Sequence, residues 1–323
     1  NFENALAIQP GVVEAGNNLG NALQMAGRMD EAIQVLQQVV ALNPEYTAAV
    51  INLGVMYNQS GDFHAALRYF GQVLTESPDN GLAHYNKGIA LLQLGRFNEA
   101  IAVLSGALSL HGVPANVYLD LGRAFLMVGE QSKAVELYRQ ACRELSPNRA
   151  ASQGYLCALN YLPDISLEEL FQEHTSHAGQ FKAEGLNAVR SYSNSSEPDR
   201  CLRIGYLSGD FRQHAVSSFV GPLLAGHDRG CFEVYCYANQ AGEDSQTQRL
   251  QRQGANWRSV YQMAPDDVVK MIRDDGIDIL VDLSGHTPGN MLADVFVRRP
   301  APVQATWLGY AATTGLSGID YRI

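Results

Sequence analysis

Residues 19–44 read LGNALQMAGRMDEAIQVLQQVVALNP, and residues 53–78 repeat the pattern as LGVMYNQSGDFHAALRYFGQVLTESP. Glycine, alanine and proline return every 34 residues along the first half of the chain. The recurring positions are Gly20, Gly54, Gly88 and Gly122; Gly27, Gly61, Gly95 and Gly129; Ala32, Ala66, Ala100 and Ala134; and Pro10, Pro44 and Pro78. Four independent columns with one period indicate a repeat architecture.

The period is that of the tetratricopeptide repeat, a helix–turn–helix unit. The first glycine of each unit lets its two helices, A and B, approach closely, and the second ends helix A in a left-handed conformation. Alanine fills the crossing point on helix B, and proline ends that helix. We predict an α-superhelix over residues 1–147, with a partial repeat at 1–10 from an earlier unit, so we expect the natural chain to begin further upstream. The four full repeats are predicted at 11–44, 45–78, 79–112 and 113–147.

The repeat period is lost after about Pro147. We predict a helical transition and polar linker at 148–200 and a second domain at 201–323. In that domain, short apolar runs alternate with helical patterns, which indicates a Rossmann-like parallel sheet covered on both faces. The strands are predicted at 202–209, 232–239, 277–285 and 302–309, with a weaker run at 257–261, and the helices at about 216–226, 244–254, 265–275 and 289–298.

Composition excludes several classes of function. The chain has 323 residues, 46% of them apolar, and a net charge of −10, which argues against a general nucleic-acid partner. We find no signal peptide and no apolar run near the roughly 20 residues of a membrane span, so we predict no membrane partner. Five cysteines without a Cys-x-x-Cys pair do not form a disulfide scaffold, which favours a reducing cytoplasmic compartment.

Several common cofactor motifs are missing from the sequence. No Gly-x-Gly-x-x-Gly follows a strand, no phosphate-binding Gly-x-x-x-x-Gly-Lys loop occurs, and no Asp-x-Asp pair is present to hold a metal with a nucleotide. We therefore predict neither a resident cofactor nor a metal. His174 and His177 could share a helix face as metal ligands, but no suitable partners adjoin them, so we interpret both as surface histidines.

The segment SGDFRQH, residues 208–214, follows the first predicted strand and places Asp210 four residues before His214. If this segment is helical, both side chains lie on one face. A carboxylate beside an imidazole raises its basicity, as a general base requires. The alternative is that Asp210 caps the following helix while His214 is merely exposed.

Two further loops follow predicted strands. SGHTPGN, residues 284–290, offers His286, Thr287 and a glycine-flanked helix start whose backbone N–H groups favour anions, although ordinary loop and cap chemistry also explains it. GYAATTG, residues 309–315, is a loop of small residues that by itself indicates a ligand cradle only weakly. Its hydroxyl groups include those of Thr313 and Thr314.

Asn18, Asn52 and Asn86 occupy one position of successive repeats, two residues before each first glycine. On the concave surface of the superhelix, a ladder of amides can bind an extended peptide backbone without reading its side chains. The fourth repeat has Asp120 there. The alternative is a solvated polar face.

Tandem 34-residue repeats precede four distinctive segments of the second domain. These are LRIGYLSGDFRQHAVSSF, FEVYCYA, DGIDILVDLSGHTPGN and RRPAPVQATWLGYAATTG. Together they resemble the O-GlcNAc transferases, in particular a bacterial homologue, along the whole chain. The resemblance implies the GT-B fold of two Rossmann-like domains, the first of them here. It also implies inverting, metal-independent transfer of N-acetylglucosamine from UDP-GlcNAc to serine or threonine of acceptor proteins bound by the superhelix.

The resemblance assigns roles to particular residues. It implies that Asp210 and His214 are the acid/base and acceptor-orienting residues. It places Leu308 and Gly309 at the sugar pocket. The neighbouring candidates for this pocket are His286, Thr287, Tyr310, Thr313 and Thr314.

The family's second GT-B domain, which carries most uridine and diphosphate contacts, would lie beyond Ile323. We therefore expect that domain as a partner and expect residues 1–323 alone to be inactive. Two alternatives remain open. One is a glycosyltransferase of the same fold with another donor, since related plant proteins are interpreted as fucosyltransferases, and the other is a non-enzymatic repeat scaffold.

Overall fold

The computed structural model describes residues 12–179, 192–287 and 289–323. The predicted partial repeat at 1–10 lies outside the described residues. The chain divides into two compact units, one ending at Tyr155 and the other beginning at Leu156.

The repeat unit consists of antiparallel helix pairs. Its helices are α1 (Val12–Met25), α2 (Met29–Leu42), α3 (Thr47–Ser60), α4 (Phe63–Glu76), α5 (Gly81–Gln93), α6 (Phe97–Ala107), α7 (Asn116–Met127) and α8 (Gln131–Glu144). Each successive pair falls within one 34-residue period of the sequence. The predicted tetratricopeptide architecture is therefore confirmed.

The first glycine of each repeat packs against a large side chain of the following helix. A Cβ atom at Gly54 would lie 2.6 Å from the ring of Phe70, so a side chain there would separate α3 from α4. The corresponding pairs in the other repeats are Gly20 with Leu36, Gly88 with Leu104 and Gly122 with Tyr138. The alanines of the alanine column, on the second helix of each pair, are fully buried. The close approach predicted at the first glycine column is confirmed.

The second glycine of each repeat ends helix A. Gly61 is the C-cap of α3 with a φ of 88°, and Gly27, Gly95 and Gly129 also have positive φ. A residue with a Cβ atom adopts this conformation at a cost, so glycine is favoured. Asp62 then begins α4, because its carboxylate accepts a hydrogen bond from the N–H of Ala65 at 2.9 Å.

Two helices follow the repeats, as the helical pattern predicts. These are α9 (Arg149–Leu159) and α10 (Leu167–Ala178). Helix α10 begins with a capping box in which Ser166 and Glu169 satisfy each other's backbone N–H groups.

The second unit is built on a six-stranded parallel sheet of order β3-β2-β1-β4-β5-β6. Its elements are β1 (Leu202–Ser208), α11 (Ala215–Gly226), β2 (Phe232–Ala238), α12 (Ser245–Gln251), β3 (Asn256–Ser259), α13 (Pro265–Asp274), β4 (Ile279–Asp282), a 3₁₀ turn (Phe296–Arg298), β5 (Val303–Thr306) and β6 (Tyr321–Arg322). Alternate strand residues belong to two separate apolar clusters. The predicted Rossmann-like sheet with two covered faces is confirmed.

Two parts of the sheet unit differ from the sequence prediction. Strand β6 was not predicted, because it has only two residues and both are exposed. The helix predicted at 289–298 is instead a series of turns ending in the 3₁₀ turn. The side chain of Asn290 accepts from the N–H of Leu292 and donates to the carbonyl of Thr287, and such local bonds compete with helix formation.

Candidate active site at the carboxyl ends of the strands

The strand order creates a crevice beside β1. This strand lies between β2 and β4, and the chain passes from β1 to β2 and β3 before it returns to β4. The loops after β1 and β4 therefore leave the sheet in opposite directions. In open α/β sheets, ligands bind at this switch point, beyond the carboxyl ends of the strands. The loop residues described here are 209–214 after β1 and 283–287 with 289–290 after β4.

Glycine allows these loops to approach each other. A Cβ atom at Gly209 would lie 3.2 Å from the carbonyl oxygen of Gly289 and 3.3 Å from that of Asn239. The side-chain amide of Asn239 also donates to the carbonyl of Gly289 at 2.9 Å. The loops after β1, β2 and β4 are thus held together by the close approach of their backbones and by this side-chain hydrogen bond.

Asp210 lies in this region and is 7% exposed. Its N–H donates to Oγ of Ser208 at 3.0 Å, and its carbonyl accepts from Oγ of Ser217 at 2.7 Å. Its carboxylate pairs with the guanidinium of Arg212 at 3.4 Å. The backbone bonds fix the position of the carboxylate relative to both β1 and α11.

His214 is the N-cap of α11, and its Nδ1 accepts from the N–H of Val216 at 3.3 Å. The same Nδ1 lies 3.9 Å from Oδ2 of Asp210, and 45% of the His214 side chain is exposed. The two side chains are thus neighbours, but the prediction of a shared helix face is wrong because residues 211–214 are bent and α11 begins after them. The alternative that Asp210 caps the helix is also wrong, since His214 occupies that position.

The Nδ1 lone pair of His214 caps α11, and the half-exposed ring lies beside the carboxylate of Asp210 at the crevice. An imidazole next to a carboxylate is an arrangement typical of general acid–base sites.

Asp282 organises the loop after β4 and was not singled out from the sequence. Its fully buried carboxylate accepts from the N–H groups of Ser284 and Gly285 at 3.1 and 2.9 Å and from Oγ1 of Thr306 at 2.7 Å. Burial raises the pKa of this carboxyl, while the three hydrogen bonds oppose that rise. In the sequence, Asp282 sits inside an apolar run, and Thr306, its partner on β5, lies far along the chain.

The loop after β4 does not form the predicted anion-binding helix start. No α-helix follows within the described residues 289–300, and the N–H groups of Ser284 and Gly285 are already bound by Asp282. Oγ1 of Thr287 donates to the carbonyl of Ser284 at 2.7 Å, and His286, 2% exposed, donates from Nε2 to the carbonyl of Thr314 at 2.8 Å. Burial lowers the pKa of His286 to about 4.

The loop after β5 borders a cleft of about 260 Å³. Leu308 has a φ of 73°, and a Cβ atom at Gly309 would overlap the carbonyl oxygen of Leu283. Oγ1 atoms of Thr313 and Thr314 accept from N–H groups two residues further along. The residues that line the cleft are Thr306, Trp307, Leu308, Tyr310, Ala311, Arg322 and Ile323.

Tyr310 anchors this loop to Asn160 and to α10. Its hydroxyl accepts from the side-chain amide of Asn160 at 2.9 Å and donates to Nε2 of His174 at 2.8 Å. Nδ1 of His174 donates to the carbonyl of Leu170 at 2.7 Å. The interpretation of His174 as a surface histidine is wrong, because its side chain is fully buried against Tyr310 and His286, and burial lowers its pKa. The sequence carries no signal of this contact.

The asparagine column of the repeats has bonds of its own. Nδ2 of Asn52 donates to Oδ1 of Asn17 at 2.8 Å, and Nδ2 of Asn86 donates to the carbonyl of Leu82 at 2.9 Å. Asn18 is exposed. At the same position of the fourth repeat, the carboxylate of Asp120 accepts from the hydroxyl of Tyr85 at 2.9 Å. Members of this column therefore link successive repeats as well as facing outward.

Among residues 12–179, 192–287 and 289–323, no cluster of three or more His, Cys, Asp or Glu side chains is arranged to hold a metal ion. None of the helices in these ranges is both long enough and apolar enough to cross a membrane.

The sequence pattern of glycosyl transferase family 41 matches residues 186–323, and tetratricopeptide repeat patterns match 1–47, 17–79, 57–112 and 85–150. A mutant of the Thermobaculum terrenum O-GlcNAc transferase is 33% identical, with a TM-score of 0.69 over 85% of this chain and 53% of that one.

Curated relatives agree with this structural match. A Petunia hybrida protein named as a probable UDP-N-acetylglucosamine–peptide N-acetylglucosaminyltransferase, SPINDLY, is 39% identical over 180 residues, which are 54% of this chain and 19% of that protein. A Caenorhabditis elegans protein named as a UDP-N-acetylglucosamine–peptide N-acetylglucosaminyltransferase is 36% identical over 124 residues, 38% of this chain and 11% of that protein. The chain thus spans a fifth or less of these relatives.

Fold and comparisons together define a class: tetratricopeptide repeats followed by a Rossmann-like unit of the glycosyltransferase type. Within that class, the chain is similar to the Thermobaculum terrenum O-GlcNAc transferase and to the peptide N-acetylglucosaminyltransferases named above.

Proposed function

We propose that the protein containing this chain transfers N-acetylglucosamine from UDP-GlcNAc to serine or threonine hydroxyls of proteins, with inversion and without a metal ion. The observation that carries the proposal is the placement of Asp210 and His214 at the switch point beside β1. The names of the similar proteins support the donor and the reaction type.

In this proposal, His214 is the base. The acceptor hydroxyl gives its proton to the imidazole while its oxygen attacks the anomeric carbon, and UDP leaves from the opposite face of the sugar. The carboxylate of Asp210, 3.9 Å from Nδ1, stabilises the imidazolium that forms. The cleft bordered by Leu308 and Tyr310 holds the sugar, together with the loop that contains Gly309, Thr313 and Thr314.

The remaining donor contacts require a further partner. We propose that uridine and diphosphate are bound by a second GT-B domain outside residues 1–323, and that the protein works in the cytoplasm. Transition-state stabilisation then depends on groups of both domains converging on the donor.

The sharpest test replaces His214 with Asn in the full-length protein. Asparagine is a good N-cap and keeps an acceptor for the N–H of Val216, but it cannot take up a proton. We therefore expect kcat to fall by about 10²–10⁴-fold while the thermal unfolding midpoint is unchanged. The measurement is transfer of labelled sugar from UDP-GlcNAc to an acceptor protein, beside circular dichroism melting.

The matched control is His64→Asn, which changes an exposed histidine of α4 and should preserve kcat. Near-normal kcat in His214→Asn would show that the base is another group. A screen of nucleotide-sugar donors distinguishes the two open alternatives, because another sugar would be transferred in one case and none in the case of a scaffold.

We further propose that Asn18, Asn52 and Asn86 bind the acceptor backbone. The bonds of Asn52 and Asn86 described above each use one amide hydrogen, and an amide has two donors and an acceptor oxygen. Replacing all three with Ala should reduce modification of acceptor proteins and leave hydrolysis of the donor unchanged. Equal loss of both activities would contradict this role.

A further inference from the structure

Two exposed cysteines lie next to each other at the amino ends of neighbouring strands. Cys201 directly precedes β1, and Cys231 directly precedes β2. In the parallel ladder, Leu202 pairs with Phe232, and the N–H of Leu202 donates to the carbonyl of Cys231 at 2.9 Å. The two cysteines therefore occupy the next position of the same ladder.

This placement suits a covalent link. Neighbouring strands lie about 4.8 Å apart, and disulfides form between Cα atoms roughly 4.4–6.8 Å apart. Residues at one register position of parallel strands direct their side chains to the same face of the sheet. Both thiols are free and exposed, whereas Cys236 is fully buried.

Cys201 also opens onto a cleft of about 550 Å³ at this end of the sheet. The cleft is bordered by Arg229, Phe232 and Gln253 among others, so a peptide-sized reagent has room to reach the thiol. It lies at the end of the strands opposite to Asp210 and His214.

We propose that Cys201 and Cys231 are a thiol pair that is reversibly oxidised to an intrachain disulfide by a low-molecular-weight disulfide of the glutathione type. The thiolate of Cys201 attacks one sulfur of the oxidant, and one glutathione leaves as a thiolate. The thiolate of Cys231 then attacks the Cys201 sulfur of the mixed disulfide, and a second glutathione leaves. The two protein thiols lose two electrons and two protons, and the oxidant becomes two thiols.

The surroundings of Cys231 set the order of these steps. Its thiol donates to Oδ2 of Asp228 at 3.4 Å, and this bond, together with the negative charge of Asp228, raises the pKa of Cys231. Because the thiolate is the attacking species, a raised pKa makes Cys231 the slower first nucleophile and leaves it as the resolving thiol. The finished link closes the β1–α11–β2 crossover, which carries both Asp210 and His214.

The test uses the chain of residues 1–323 treated with oxidised glutathione, followed by tryptic digestion and mass spectrometry without reduction. We expect peptide Cys201–Arg203 joined to Gly230–Arg249 with a loss of two hydrogens, and dithiothreitol should separate them. Cys231→Ser should instead retain glutathione on Cys201, and it should do so faster than Cys201→Ser acquires it on Cys231.

The control is Cys236→Ala, because Cys236 lies in the same tryptic peptide as Cys231. This variant should still form the disulfide, and that result would show that Cys231, not Cys236, is the partner of Cys201. Glutathione carried separately on Cys201 and Cys231 without a joined peptide, or no reaction of either thiol, would overturn the proposal. Faster labelling of Cys201→Ser than of Cys231→Ser would overturn the order of attack.

Discussion

The first glycines of the repeats and two glycines of the loop after β5 differ in what they touch. In the repeat unit, the first glycine of each repeat faces a side chain of the next helix, as Gly54 faces Phe70. In the loop after β5, Gly309 faces the backbone carbonyl of Leu283, and Gly315 faces that of His174. The repeat contacts are local, and the loop contacts are not.

This difference has consequences for both folding and function. A side chain can rotate away from an added methyl group, but a carbonyl held in a strand connection cannot. The loops that border the candidate site should therefore tolerate less change than the repeats. Three substitutions would test this difference, and the one with the largest expected effect is at Gly309.

Gly309→Ala should destabilise the sheet unit by about 3 kcal/mol or more, because the new Cβ overlaps the carbonyl oxygen of Leu283. Urea unfolding followed by tryptophan fluorescence is the measurement. It reports this unit because both tryptophans, Trp257 and Trp307, belong to it.

The control for this substitution is Gly71→Ala. Gly71 lies inside α4 with no other atom close to its Cβ position, and alanine is favoured over glycine in helices by about 1 kcal/mol. Gly71→Ala should therefore be neutral or stabilising. A loss below about 1 kcal/mol in Gly309→Ala would mean that the loop yields as readily as a side chain.

The repeat unit, whose glycine contacts are local, is also the easier of the two units to predict from sequence. Gly54 and Phe70 lie within one repeat, and the equivalent pair of positions recurs in all four repeats, so the 34-residue period indicates this contact. Buried parallel strands are nearly as clear, because a run such as FEVYCYA at 232–238 is apolar on both faces. The residue pair Asp210 and His214 stands out in the sequence because both follow a strand end closely.

Sequence patterns do not reveal the contacts between segments that are distant along the chain. His174 has the appearance of a surface histidine until Tyr310 is placed against it, and Asp282 is one polar residue in an apolar run until Thr306 pairs with it. The segment 289–298 has helical periodicity, but the side-chain bonds of Asn290 determine its turns.

The second prediction concerns pH. In the folded sheet unit the pKa of His286 is about 4, against 6.5 in the unfolded chain, so the unfolded state binds more protons between these values. Stability from this site is fully present above pH 6.5 and falls as pH is lowered towards 4, by up to about 3 kcal/mol at 1.36 kcal/mol per pKa unit.

His286→Gln should remove this part of the acid sensitivity, since glutamine can still donate to Thr314 but does not titrate. Urea unfolding of both proteins at several values between pH 6.5 and 4 measures the difference. The exposed His64→Gln is the control and should follow the wild type. Parallel curves for His286→Gln and wild type would show that His286 is protonated without cost in the folded state.

Gly54→Ala should have the smallest effect, a loss of about 2 kcal/mol, because the new methyl group meets the ring of Phe70 rather than backbone. The contact lies between side chains, so shortening the partner should relieve it. We expect Gly54→Ala with Phe70→Val to be less destabilised than the sum of the two single variants, by about 1 kcal/mol or more, measured from helical circular dichroism during urea unfolding. No such double-mutant cycle can be made for Gly309, because its partner is a backbone carbonyl, which every residue carries. Strict additivity at Gly54 and Phe70 would mean that the helices themselves separate, and the repeat glycines would then be as intolerant of a Cβ atom as the glycines of the candidate site.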